Sequence, residues 1–494
     1  MTPLLRAMPF AALAFAAMLA LAAAALRVGF VSDDTVTLWA GAIAAGDGEI
    51  SLGRLVSVYP SIPFLATALM EVLTPGGSPT PALVAAALMG TIASYCLVAF
   101  RARGLGIAAA LVVTVLIAFH PALLRAAIAG PADMFLAAFL VLLAKGLYDL
   151  RAQSAAPEVM TVAMALLGLT FSHPIGAAVA VASVPFLLLA VRPSLIANSA
   201  LSVVVALVFP VIFSVCAFVY VSWVFPGSGW SFFTAPAASL AGWAAGMTRL
   251  VGEGPSLTLA AGVTVTLALV LAAPVAVLAL VAMRHRRPLV VPALALVAAT
   301  IVAAVMAVAA GVFGEPAPLL VAAPVLAATL LIRTPIVQER RAAVFALLLL
   351  GWFGGAAGVL LVDPRIAAHL GDLVNGGAGD RDRLDALNLG RATGGRDGVL
   401  VDTLNAPAVV LGRGTARGLF APQGEGFALA MLFAKIDAPL VAVPDPLSAA
   451  GAQDQLNKTF PSLYRFGAAG YRLLYQNTTW RLYERASPRV LAND

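Results

Sequence analysis

Charge is what this 494-residue chain lacks most. Only 11% of its residues are Asp, Glu, Lys or Arg, against 61% that are hydrophobic. Soluble domains carry about 25% charged residues, so a water-soluble globular fold is excluded, and the mean hydropathy of +0.97 agrees. Lysine is nearly missing: Lys145, Lys435 and Lys458 are the only lysines among 30 basic residues. The arginines sit in short clusters between apolar runs, so the net charge of +6 reflects membrane topology and not a nucleic-acid-binding surface. There are two cysteines, Cys96 and Cys216, far apart and inside apolar runs, which argues against a disulfide framework or a CxxC metal site. No HExxH or Gly-x-Ser-x-Gly arrangement is present, and the Gly-rich GRGTARG at 412–418 lacks phosphate-loop spacing.

What is present is a series of long apolar runs. They fall at 8–28, 80–100, 105–120, 132–150, 158–172, 175–191, 199–222, 257–283, 289–312, 318–333 and 342–362, which makes eleven candidate spans. The first, behind Arg6, is about 20 residues long, enough for ~30 Å of hydrocarbon, and reads as a retained helix and not a cleaved signal peptide. A shorter apolar piece, Tyr59–Leu73, decides the topology. If it does not cross and the N-terminus is cytoplasmic, Arg101, Arg103, Lys145, Arg151, Arg192, RHRR at 284–287, Arg333 and ERR at 339–341 all fall inside. Tyr59–Leu73 therefore reads as a helix on the outer surface. Eleven spans then place the C-terminus outside.

The expected fold is a polytopic α-helical membrane protein with a small C-terminal α/β soluble domain. Its membrane part is residues 1–362, with a long first outer loop at 29–79, and its extracytoplasmic domain is 363–494. In that tail the pattern predicts strands at DGVLVD (397–402), APAVVLG (406–412) and APLVAVPD (438–445), a helix over EGFALAMLFAKI (425–436), and a hairpin about Asn477. GGAGDRDR (376–383) reads as a flexible stretch.

The acids and polar residues of the outer face carry the candidate chemistry. Asp33 and Asp34 stand side by side in VSDDTVTLWA, just past the first span. They are either markers of a helix end facing water or a proton acceptor and its neighbour. Asp133, in GPADMF, begins a span; it is a helix cap or a functional acid at membrane depth. His173, in FSHPIG, is a loop residue or a ligand for phosphate or metal. Arg54 and Arg125 suit bidentate phosphate contact or snorkel to headgroups. Tyr59, in YPSIPFLATALM, is a sugar contact or an interfacial anchor.

This constellation resembles the GT-C membrane glycosyltransferases, in the branch of the protein O-mannosyltransferases and the lipid A aminoarabinose transferase (glycosyltransferase family 39). An acid pair after the first span, an amphipathic first loop with YPSIPFLATALM, and the acid of GPADMF carry the resemblance, which extends over the whole chain at the level of architecture. It implies a sugar donor on a polyprenyl phosphate and an acceptor hydroxyl or phosphate on a glycan, lipid or protein, with no nucleotide and no nucleic acid. It places the protein in the bacterial inner membrane, N-terminus cytoplasmic and C-terminal domain periplasmic. It implies Asp33 as general base with Asp34 as the alternate base, and Asp133 as the family's acid at the start of the fourth span; Arg54, Tyr59, Arg125 and His173 join Asp133 as substrate-binding candidates on their own chemistry, and SHPIG departs from the family's commonest pattern. Metal dependence stays open, since Asp33, Asp34, Asp133 and His173 are types that bind divalent ions. Two other readings remain: a transporter or flippase of lipid-linked glycans, which calls for ionisable groups or broken helices in mid-span, and a non-catalytic subunit of an envelope-glycan assembly.

Overall fold

A computed structural model describes residues 3–27, 32–50, 58–74, 78–153, 155–225, 237–251, 256–363, 366, 381–422 and 424–486. Helices dominate. In chain order they are α1 (Pro3–Arg27), α2 (Asp33–Gly46), α3 (Ser61–Leu73), α4 (Thr80–Ala102), α5 (Ile107–Ala118), α6 (Pro121–Ala129), α7 (Pro131–Ala152), α8 (Ala156–Ser172) and α9 (Pro174–Ala190). There follow α10 (Pro193–Val224), α11 (Ala237–Val251), α12 (Leu257–Ala272), α13 (Pro274–Ala282), α14 (Arg287–Ala310), α15 (Ala322–Arg333) and α16 (Arg341–Val362). Among the described residues five helices are long and apolar enough to cross a membrane, and seven spans result if each of two bent pairs counts as one. The protein is a multi-pass α-helical membrane protein.

Two compact units make up the chain. The first comprises Met1–Ala24, Val56–Pro63 and Ala82–Val374; the second comprises Ala25–Leu55, Phe64–Pro81 and Asn375–Asp494. In the first unit, an Ala-, Leu- and Val-rich core runs through α4 to α9 and α12 to α16. Proline starts many of its helices, which suits a first-turn position whose N–H has no intrahelical partner.

The segment expected to form one span at 257–283 is instead two helices, α12 and α13, bent by 80° at the Ala273–Pro274 junction. The proline ring removes a backbone donor and clashes with the preceding turn, so the helix breaks there. The stretch at 105–129 behaves likewise, with α5 and α6 meeting at 53° across Phe119–His120.

The second unit holds α2 and a five-stranded sheet in the order β2-β1-β3-β5-β4. Beyond α17 (Arg381–Ala392) come β1 (Val399–Leu400), α18 (Ala408–Arg413), β2 (Leu419–Phe420), α19 (Glu425–Leu432), β3 (Leu440–Pro444), β4 (Tyr471–Gln476) and β5 (Trp480–Arg485). β1 runs parallel to β2 and β3, and β4 and β5 pair antiparallel about Asn477. APAVVLG departs from its expected strand: residues 408–413 are helical, with Gly414 as a left-handed C-cap. Val409 and Val410 are buried beside Leu389 of α17, so tertiary packing outweighs the β preference of the valines. Of GGAGDRDR, residues 376–380 lie outside the described residues, and Arg381 opens α17.

Candidate functional site

Gly130 makes the site possible. It ends α6 at φ 134° and ψ −169°, a conformation open to glycine alone, and α7 then starts on Pro131. The reversal brings Arg125 of α6 against Asp133 in the first turn of α7. Asp133 is not the N-cap, a place held by Gly130. Its neighbours arrive from three more helix ends. His173 links α8 to α9, Glu315 follows α14, and Asp363 is the C-cap of α16.

Arg125 is the hub. One terminal nitrogen, Nη1, bonds Asp133 Oδ2. Its Nη2 reaches Asp363 Oδ2 at 2.9 Å and Glu315 Oε1 at 3.3 Å, and Nε donates to Asp363 Oδ2 at 3.0 Å. His173 Nε2 lies 3.1 Å from Asp133 Oδ1. The second ring nitrogen, Nδ1, accepts from the backbone N–H of Ile175 at 3.1 Å, so Nε2 carries the proton it donates to Asp133. Arg125, Asp133 and Asp363 are all buried. Three carboxylates thus face one guanidinium.

This geometry limits what the cluster can do. Both oxygens of Asp133 are engaged and its side chain is 9% exposed, so it is poorly placed to take a proton from an incoming hydroxyl. Both nitrogens of His173 are committed, so it has no free lone pair to act as a base. Among the described residues no three His, Cys, Asp or Glu side chains are arranged to hold a metal. Arg125 itself stands where a cation would sit among these acids. The weakest link is Glu315, at the longest distance and at 14% side-chain exposure.

Tyr59 meets the last turns of α8. Its hydroxyl donates to the carbonyl of Thr170 at 2.8 Å, three residues before His173, and its ring meets Phe218, which also meets Phe171. Arg54 lies outside the described residues. In the second unit, Asp33 and Asp34 form the first turn of α2, whose N-cap Ser32 accepts from the N–H of Thr35. Negative charge there complements the helix dipole. Asp33 Oδ1 pairs with Arg383 Nη2 at 2.6 Å, yet the Asp33 side chain is 81% exposed. The structure therefore joins Arg125, Asp133 and His173 of the expected set and keeps Asp33 and Asp34 accessible on another unit.

Sequence reasoning passed over Glu315, Asp363 and Arg383 as functional residues. Glu315 had a signal, as the one acid in the short turn FGEPAP, and Asp363 stands at the end of the last apolar run. A further omission is His120. Its Nε2–H lies 3.1 Å from both the Ala272 and the Gly351 carbonyls, while Nδ1 accepts from Ala122 N–H at 3.2 Å. Ala272 ends α12 at its break, so His120 caps a carbonyl that the bend sets free. Trp352 Nε1 does the same for Phe119 at the other break, at 2.9 Å. No protein-family model matches the chain, and no curated protein does either.

Proposed function

We propose that the chain is an integral-membrane glycosyltransferase. It transfers a sugar from a polyprenyl-phosphate donor to an envelope acceptor (lipid, polysaccharide or protein) on the outer face of the bacterial inner membrane. In this reading eleven segments cross, and the C-terminal segment is a periplasmic α/β domain. The observation that carries it is the division of labour among the acids. Asp133, Glu315 and Asp363 gather around Arg125 with little exposure, and His173 holds Asp133, whereas Asp33, though paired with Arg383, keeps a carboxylate that is 81% exposed. An acceptor hydroxyl attacks the anomeric carbon as the bond to the phosphate oxygen breaks. The hydroxyl proton passes to Asp33 or Asp34, and polyprenyl phosphate leaves with the electron pair. A positioned general base contributes about 10²–10⁴-fold.

Transport is the second reading, because two helices are broken within the body. Transporters use the freed backbone of such breaks to hold ions and substrates. Here the Ala272 carbonyl bonds His120 and the Phe119 carbonyl bonds Trp352, which favours a static, structural role for both breaks. The test is transfer by the purified protein in lipid, offered polyprenyl-phosphate sugars and candidate acceptors. Asp33→Asn or Asp34→Asn should lower transfer by about 10²-fold or more with folding intact. A loss of only a few-fold in both overturns the base assignment, and movement of lipid-linked glycan across the bilayer without turnover favours transport.

A further inference from the structure

The acid surplus around Arg125 has a counterpart of opposite sign at the far ends of the same helices. Helix α16, 22 residues long and apolar enough to cross, runs from Arg341 to Val362, next to Asp363 of the Arg125 cluster. Residues 334–340 join its start to Arg333, the last residue of α15. Arg333 in turn bonds Asp149 near the end of α7. Asp149 lies about 24 Å along α7 from Asp133, at a rise of ~1.5 Å per residue. The hydrocarbon core is ~30 Å thick, so this second cluster stands at the opposite boundary of acyl chains and headgroups.

Two cations share one carboxylate there. Lys145 Nζ donates to Asp149 Oδ2 at 2.9 Å, and Arg333 Nη2 donates to Asp149 Oδ1 at 2.6 Å. Lys145 and Asp149 alone would be an ordinary i,i+4 pair on a helix surface. Arg333 changes that, because it comes from another helix and leaves one positive charge in excess. Its guanidinium sits over the Tyr148 ring, 5.7 Å from the centroid, which fixes its orientation. Among the described residues it uses only Nη2 on an acceptor, so Nε and Nη1 stay free. Tyr148 is buried, and its Oη has no hydrogen-bond partner among the described residues. The cluster is nonetheless reachable: the Lys145 side chain is 41% exposed and that of Arg333 is 21% exposed.

We propose that this end of α7 and α15 is a phosphodiester-binding site, which holds the headgroup of an anionic phospholipid through Arg333 and Lys145, with Tyr148 Oη as a further donor. The single charge in excess matches the single negative charge of a phosphodiester. A guanidinium presents that group with paired N–H donors. Basic pockets between helices at the membrane boundary suit anionic headgroups, and the exposed Arg340 and Arg341 add positive charge beside this one. A soluble phosphodiester offers the same oxygens; the position of the site at the edge of the hydrocarbon core favours the lipid. The site stands whether or not the chain is a transferase.

Native mass spectrometry of the full-length protein, released from a neutral detergent, tests this. The protein is offered phosphatidylglycerol, diacylglycerol without the phosphate, and glycerophosphoglycerol without the acyl chains. The fraction bound should be several-fold higher for phosphatidylglycerol than for either of the others. Lys145→Gln and Arg333→Gln should each lower it several-fold, whereas Lys145→Arg should keep most of it and Arg341→Gln should cost much less. Circular dichroism checks the helix content of each variant. If Arg333→Gln misfolds, Lys145→Gln, at an exposed position, decides alone. Full retention in Lys145→Gln overturns the site, as does diacylglycerol held as well as phosphatidylglycerol, or an equal loss in Arg341→Gln. Glycerophosphoglycerol held as well as the lipid, and lost in Lys145→Gln, overturns the lipid as its source.

Discussion

Arg125 shows how one residue organises a site through imbalance. Its guanidinium answers Asp133, Glu315 and Asp363, and a buried cation removed from such a set leaves acids uncompensated. Arg125→Ala should therefore cost about 3–5 kcal/mol in thermal unfolding of the detergent-solubilised protein. Glu315→Gln removes one charge from an acid excess and keeps a hydrogen-bonding oxygen. It should cost much less than Asp363→Asn in the same measurement, and an equal cost would contradict the ranking by distance and exposure. A different acid, Asp454, is buried in the second unit with one oxygen unpartnered. Burial, with Asp402 adding to it, pushes its pKa up to about 7. The native state then holds a proton that the unfolded chain, titrating near its ordinary value of ~3.9, has released. Stability from this group is full below about pH 4 and falls as pH rises to about 7. Unfolding temperatures at about pH 5 should exceed those at about pH 8, and Asp454→Asn, which keeps the cap on Asn457 N–H, should shrink the difference.

At the scale of elements, the breaks in the long apolar runs are held by specific side chains. His120 bridges α6, the end of α12, and α16, and Gly355 leaves room for its ring, since a Cβ there would come within 2.4 Å of it. His120→Ala takes this partner from the Ala272 carbonyl at the end of α12 and from the Ala122 amide, and should cost about 1–3 kcal/mol. Gly355→Ala alone clashes with the ring. In the double variant the new methyl enters the space the ring has left, so the two losses should sum to more than the double variant loses. Strict additivity in unfolding measurements would mean that the two do not share this contact. Apolar runs of this kind are legible as helices, yet their breaks were not. Pro274 lies inside a run that hydropathy reads as continuous, and hydropathy does not register the missing donor. The tail behaves the same way: the arms about Asn477 were legible by alternation, whereas Ala408–Arg413 is helical because its valines are buried against α17.

For the whole molecule, charge is sorted by helix end. Acids meet Arg125 at the start of α7, whereas the end of α7 carries Asp149, bonded to Lys145 and to Arg333 at the end of α15. Two ends of one helix thus hold clusters of opposite bias. Under the eleven-span reading the termini lie on opposite sides of the membrane. With the N-terminus cytoplasmic, an alkaline phosphatase fused after residue 494 should then be active and a green fluorescent protein there dark; the reverse pattern would overturn either the odd number of crossings or the cytoplasmic N-terminus.

The sequence by itself determined the class. Too little charge and too many long apolar runs leave a chain no stable state outside a membrane, because burying that surface is favourable whatever the fold. It also named Arg125, Asp133 and His173, three of the five members of the buried cluster, since acids, arginines and histidines are rare enough here to stand out. Only the tertiary structure decided which of them act together. Arg125, Asp133 and His173 meet Glu315 and Asp363 across some 240 residues of chain, through helix ends whose meeting depends on packing and on one glycine at φ 134°. Asp33 and Asp133 are the same residue type at similar positions, each in the first turn of a helix. One is buried between a guanidinium and an imidazole, and the other, paired with Arg383, stays 81% exposed, because partners and burial are set by contact and not by sequence.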